Sequence, residues 1–177
     1  MEHKIIFTGP VGAGKTTAIG TLSDIPVVST ESQASDEVAL RKATTTVAMD
    51  YGVMKLGQGL KVHLYGTPGQ ERFSFMWDII TIGGLGMVIL IDNEREDPLA
   101  DLDFYVRAFD TFIKRNALVI GVTRLDTSPR PGLYSYHTRL RELGVQAPVF
   151  EVDAREWNDV SIMLQALLAM LDPGAQR

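Results

Sequence analysis

Gly9-Pro10-Val11-Gly12-Ala13-Gly14-Lys15-Thr16 places glycines, one lysine and one hydroxyl at the spacing G-x-x-x-x-G-K-[ST], a pattern whose chemistry is phosphate binding. Glycines let successive backbone N–H groups turn inward around an anion, and a helix starting at the end of the loop adds the positive end of its dipole. Lys15 has the reach and charge for the terminal phosphates of a nucleotide. Thr16 offers a hydroxyl of the kind that takes one position on an octahedral Mg²⁺. Thr17 continues into the helix, so residues 9–17 are expected to hold the phosphates of a nucleoside di- or triphosphate.

The flanking residues supply the elements this loop needs. Lys4-Ile5-Ile6-Phe7-Thr8 reads as a strand leading into it, and residues 17–23 read as the start of a helix. Further apolar, strand-length runs follow at residues 47–56, 60–65, 86–92, 118–123 and 149–153, with Gly57-Gln58-Gly59 closing a hairpin between the second and third. Between them, Leu102, Tyr105, Val106, Phe109, Phe112 and Ile113 recur on one helical face behind an Asp97 N-cap and Pro98. Val160, Met163, Leu164, Leu167, Leu168 and Leu171 form a similar apolar stripe, and residues 133–143 read as a further helix. The rhythm predicts an α/β fold: a mostly parallel six-stranded sheet with one antiparallel edge strand and helices on both faces, in a single domain over residues 1–177. In such sheets ligands collect at the carboxyl ends of the strands, where the loops after Phe7, Tyr65, Val122 and Val152 emerge.

Composition narrows the function. The 177 residues are 45% hydrophobic with a net charge of -5, which offers no long-range attraction to nucleic acid. There is no cysteine, so thiolate catalysis, Cys-ligated zinc and disulfides are excluded. The longest uncharged apolar stretch, residues 79–91, is short of the ~20 residues of a membrane-spanning helix. Glu2 stands where a myristoyl signal needs glycine, and the start has no signal-peptide core. A cytoplasmic protein without an integral membrane segment is the expectation.

Four further segments resemble a known family. Gly66-Thr67-Pro68-Gly69-Gln70-Glu71-Arg72-Phe73 follows a strand and resembles the second switch of Ras-like small GTPases. The resemblance implies that the Gly69 N–H senses the γ-phosphate and that Gln70 orients the attacking water, with Lys15 neutralising charge. Thr44-Thr45-Thr46-Val47-Ala48-Met49-Asp50-Tyr51 resembles the first switch, with Thr46 aligned to the threonine that binds Mg²⁺ and γ-phosphate. Thr123-Arg124-Leu125-Asp126 stands where guanine-specific GTPases carry Asn-Lys-x-Asp. Asp126 would accept from guanine N1 and N2, while Thr123 and Arg124 depart from the pattern. Glu151-Val152-Asp153-Ala154-Arg155 is similar to the loop whose backbone N–H groups approach the guanine oxygen, with Ala154 at the matching position between Asp153 and Arg155.

Gly66 is the most informative departure, because the family carries a Mg²⁺-holding aspartate there; its absence is expected to weaken the outer shell of the metal. That feature, with His63-Leu64-Tyr65 and Pro68-Gly69-Gln70, looks most like the MglA-type prokaryotic branch, which works in cell polarity and motility with roadblock-fold partners. The resemblance implies a slow GTPase switch using GTP, GDP and Mg²⁺, an activating protein and an effector. Two other readings stay open: a nucleotide-binding scaffold with little hydrolysis, and a small-molecule kinase with a lid built from Arg130, Arg139 and Arg141. His63 reads as structural at the sheet edge, and Asp92 as a loop cap rather than a metal ligand.

Overall fold

Ile5 and Phe7 face one side of the first strand and Ile6 the other, and all three are fully buried. A strand buried on both faces must lie inside a sheet covered by helices on each side. A computed structural model describes residues 2–29, 49–69 and 71–171 of the chain. In chain order its elements are β1 (Glu2–Thr8), α1 (Lys15–Leu22), β2 (Val28–Ser29), β3 (Asp50–Lys55), β4 (Lys61–Gly66), α2 (Trp77–Thr81), β5 (Gly86–Asp92), α3 (Pro98–Ala108), α4 (Asp110–Ile113), β6 (Ala117–Thr123), α5 (Leu133–Glu142), β7 (Val149–Glu151) and α6 (Trp157–Leu171).

Among the described residues the sheet runs β2-β3-β4-β1-β5-β6-β7. The pairs β1–β4, β1–β5, β5–β6 and β6–β7 are parallel, while β3 runs antiparallel to both its neighbours. The six expected strands are present. A seventh, β2, adds two residues outside β3, so the antiparallel strand is next to the edge rather than at it. Two residues are too few for any alternation to show in a sequence.

Two core layers sandwich the sheet. Ile5, Phe7, Val88, Leu90 and Val119 pack against Ala18, Ile19 and Leu22 of α1 and Val160, Met163, Leu164 and Leu167 of α6. Ile6, Met87, Ile89, Ile91 and Ile120 pack on the other face against α2, α3 and α5. Burying each such side chain is worth ~1.5–3 kcal/mol, which is what holds the strand ends in register. The Asp97 side chain accepts from Ala100 N at 3.0 Å, with Pro98 opening α3. The apolar stripe over residues 102–113 is broken at Phe109, whose ψ of 20 separates α3 from α4. The hairpin turns at Gly57–Gly59 with Gln58 at a φ of 63, closed by Leu56 N donating to Leu60 O at 2.8 Å. His63 contacts the Tyr51 hydroxyl through Nδ1 at 2.7 Å and stacks beside that ring, a structural pairing near the sheet edge.

Candidate nucleotide site

The phosphate loop leaves β1 through Gly9, whose φ of 143 suits glycine alone and whose added Cβ would fall 2.1 Å from Leu90 O. Gly14, also at positive φ, hands the chain to α1, and Ala18 N donates to Gly14 O at 2.8 Å. Lys15 is buried, and its Nζ donates to Gly9 O at 2.6 Å and Pro10 O at 2.8 Å. Those carbonyls arch the loop around the ammonium, so the positive charge sits under the turn and not in bulk water. Val11 stands out at 54% exposure on the crest.

Thr16 and Thr17 are exposed at the start of α1. The Thr16 hydroxyl donates to Asp50 Oδ2 at 2.5 Å. Asp50 is buried at the first position of β3, directly opposite Gly66 in the antiparallel register. A Cβ built on Gly66 would lie 3.1 Å from Asp50 Cβ and 3.2 Å from its Oδ2. The carboxylate expected to be missing at Gly66 is therefore supplied from the neighbouring strand, through the space glycine leaves. Asp50 is the site residue that motif matching passes over. Its signal was nevertheless present, because Asp50 and Gly66 lie equally far from Gln58 at the turn of the hairpin.

The donor set fits a small hard cation. Because the Thr16 proton is directed at Asp50, its oxygen lone pairs remain for a metal, and the carboxylate can accept from water on that metal. No cluster of three or more His, Cys, Asp or Glu side chains with metal-binding geometry occurs among the described residues.

Gly69 lies against this loop. A Cβ there would sit 2.8 Å from Val11 N and 2.9 Å from Lys15 Nζ, so any larger residue would collide with the phosphate loop. Gln70 and Thr46 lie outside the described residues.

Beyond the loop, a cavity of about 590 Å³ is lined by Ala13, Gly14 and Thr17 on one side and Thr123, Asp126 and Ala154 on another. It is large enough for a purine nucleoside. Thr123 is buried, and its hydroxyl reaches Ala13 O at 3.1 Å and Ile91 O at 3.2 Å. The shorter side chain still ties β6 to the phosphate loop, with one proton between two acceptors. Arg124 adopts a φ of 61, rare for a non-glycine residue. Its NH1 donates to Gly12 O at 2.9 Å and pairs with Asp92 at 2.6 Å, and its Nε lies 3.6 Å from Glu94. The guanidinium is thus committed to the loop and to β5, leaving only the stem for the base. Asp92 also accepts from Glu94 N at 2.9 Å, the loop cap expected of it.

Asp126 is exposed on the cavity wall. Opposite, Arg155 forks onto Asp153, with Nε to Oδ1 at 2.9 Å and NH2 to Oδ2 at 2.7 Å, and its own N–H donates to Asp153 Oδ1 at 3.0 Å. These bonds hold the Asp153 carboxyl down to about 2. Since the Arg155 N–H is spent on Asp153, the backbone donor left at this corner for a base oxygen is that of Ala154. Ala154 is buried, and its carbonyl accepts from the Thr21 hydroxyl at 2.7 Å. Arg130, Arg139 and Arg141 do not line the cavity; Arg139 pairs instead with Asp103 and Glu142.

A doubly wound sheet, a glycine-rich phosphate loop between its first strand and helix, and a nucleoside-sized cavity beside that loop define a P-loop NTPase fold. The chain belongs to the family described as conserved hypothetical ATP binding protein, whose profile matches residues 26–128. That match begins after the phosphate loop and ends just past Asp126. The chain is 32% identical over 94 residues to the uncharacterized protein MJ1339 of Methanocaldococcus jannaschii, covering 53% of each. It is 24% identical over 116 residues to the Ras-related protein Rab-18-B of Danio rerio, covering 66% of this chain and 52% of that one. The chain spans about half the length of the curated relatives it matches. No described helix is long and apolar enough to cross a membrane.

Proposed function

We propose that the chain is a small GTPase switch, residues 1–177 forming one G domain, that binds GTP with Mg²⁺ and hydrolyses it slowly to GDP. The observation that carries this reading is the single cavity that runs from Gly14 and Thr17 of the phosphate loop to Asp126. A base read by Asp126 would direct its phosphates toward Lys15.

In the reaction a water oxygen bonds to the γ-phosphorus as the bond to the β–γ bridging oxygen breaks, releasing GDP and inorganic phosphate. Lys15 balances charge on the terminal phosphates, and the Gly69 N–H faces the γ-phosphoryl group. Gln70 orients the water. Thr16 and Thr46 would hold Mg²⁺, with Asp50 fixing the Thr16 hydroxyl and the water on the metal. The metal, when bound, neutralises charge that develops on the phosphate oxygens. Turnover without a partner is expected near ~10⁻⁴–10⁻² per second, so an activating protein belongs to the proposal. By its resemblance to the MglA-type branch, that protein is of the roadblock type, and the cellular setting is bacterial polarity or motility. The output is an effector that reads the switch segments.

A second reading is favoured by the family's description as ATP binding: an adenine-selective NTPase. Titration of nucleotide-free protein with GDP, GTP, ADP and ATP, each with and without Mg²⁺, separates the two. Tight binding confined to guanine nucleotides supports the GTPase. Equal or stronger adenine binding overturns it, and binding without phosphate release would make the chain a nucleotide-holding scaffold.

A further inference from the structure

Trp77 is 4% exposed, yet its indole N–H does not merely end in the core: Nε1 donates to Pro68 O at 3.2 Å. A trans peptide is planar, with its C=O and N–H pointing in opposite directions. Because the Pro68 carbonyl is turned to Trp77, the N–H of Gly69 on the same peptide faces away from the indole. The groups that crowd Gly69 are Val11 N and Lys15 Nζ of the phosphate loop.

We propose that Trp77 is a positioning residue that aims the Gly69 N–H at the terminal phosphate. This inference rests on the NTPase-switch reading above. The donor is itself held rigidly. The Trp77 ring stacks on Phe109 at 5.1 Å, tilts against Tyr105 at 5.5 Å and meets the Phe104 edge at 5.9 Å. The rest of the turn is pinned in the same way. Thr67 N donates to Phe7 O at 2.9 Å, the Thr67 hydroxyl donates to Thr8 Oγ1 at 2.7 Å, and the Tyr105 hydroxyl approaches Gly69 O at 3.5 Å. A phenylalanine at position 77 would keep an aromatic ring against Phe104, Tyr105 and Phe109 but would lose the N–H that orients the Pro68–Gly69 peptide plane.

The consequence is selective. A diphosphate has no group at the terminal phosphate position, so its affinity does not depend on where the Gly69 N–H points. A triphosphate does. The experiment is titration calorimetry on the full, nucleotide-free chain with Mg²⁺, using GDP and its non-hydrolysable β,γ-imido triphosphate. The proteins are wild type, Trp77→Phe, and a variant carrying the benzothiophene isostere of tryptophan at 77, which replaces N–H by sulfur at unchanged shape. The expected result is diphosphate affinity unchanged within about twofold and triphosphate affinity weakened about 3- to 10-fold in both variants, the loss of one oriented hydrogen bond. The isostere keeps the test decisive should Trp77→Phe fold poorly.

Equal affinities for wild type and isostere, or equal losses for both nucleotides, would overturn the proposal and leave Trp77 a packing residue. A wild type that binds adenine nucleotides instead overturns the guanine reading alone; the same comparison then runs with ADP and the imido-ATP. A wild type that binds no nucleotide overturns both.

Discussion

The hydroxyl of Thr16, in the phosphate loop, donates to the carboxylate of Asp50, on a strand 34 residues away in sequence, and the two meet where Gly66 has no side chain. The loop and the hairpin are thereby joined at Thr16, the residue proposed to hold Mg²⁺. Asp50→Asn should raise the Mg²⁺ concentration needed to retain nucleotide about 10- to 100-fold, the usual cost of losing a partner behind a metal ligand. Nucleotide dissociation measured across a Mg²⁺ titration checks this. Gly66→Ala, which puts a methyl 3.1 Å from Asp50 Cβ and Ile19 Cδ1, should destabilise the fold by ~1–3 kcal/mol in urea unfolding.

Lys15→Ala removes the ammonium around which Gly9 and Pro10 carbonyls close. Nucleotide affinity should fall about 100-fold or more, as for other truncations of buried charge partners. Calorimetry with di- and triphosphate reads it directly, and unchanged affinity would remove Lys15 from the site.

Gln70→Leu should leave triphosphate affinity intact and abolish partner-stimulated hydrolysis, since the side chain is assigned to water and not to binding. Single-turnover phosphate release gives the answer. Equal stimulated rates in both proteins would take Gln70 out of the mechanism.

The Arg155 fork lowers the Asp153 carboxyl to about 2, below its ordinary value of 3.8. A carboxyl depressed in the folded state stabilises fully above its unfolded value and loses that contribution as pH falls toward the folded one. The stability gap between wild type and Asp153→Asn should thus be constant from pH 7 to about 5 and close between about pH 4 and 2. The pair is solvent-exposed, so the gap is small and shrinks in high salt. Urea midpoints at each pH test the direction.

Tyr136 is wholly buried and donates to Asn93 Oδ1 at 2.6 Å, while Asn93 Nδ2 donates to Ser128 O and Pro131 O behind the Asp126 loop. Burial pushes the Tyr136 hydroxyl upward, so it stays protonated as a donor. Tyr136→Phe leaves a buried acceptor without its partner and should cost ~1–3 kcal/mol of stability. Thermal unfolding reports that loss. Faster amide exchange over residues 126–131 would show that the loop has loosened.

Local chemistry made much of this protein legible from its sequence. The phosphate loop, the Asp97-Pro98 helix start and the hairpin turn each depend on a few adjacent residues with restricted backbone or hydrogen-bonding options, and each was found where its residues stand. The central strands β1, β5 and β6 declared themselves because burial on both faces demands continuous apolar runs. Tertiary structure alone decided what depends on distance through space. It set Asp50 against Thr16 across the gap at Gly66, tied the Arg124 guanidinium to Gly12 O and Asp92, and placed the Trp77 indole on the Pro68 carbonyl. Those pairings depend on strand register and helix packing, which sum many weak contacts along the whole chain, and no short motif encodes such a sum.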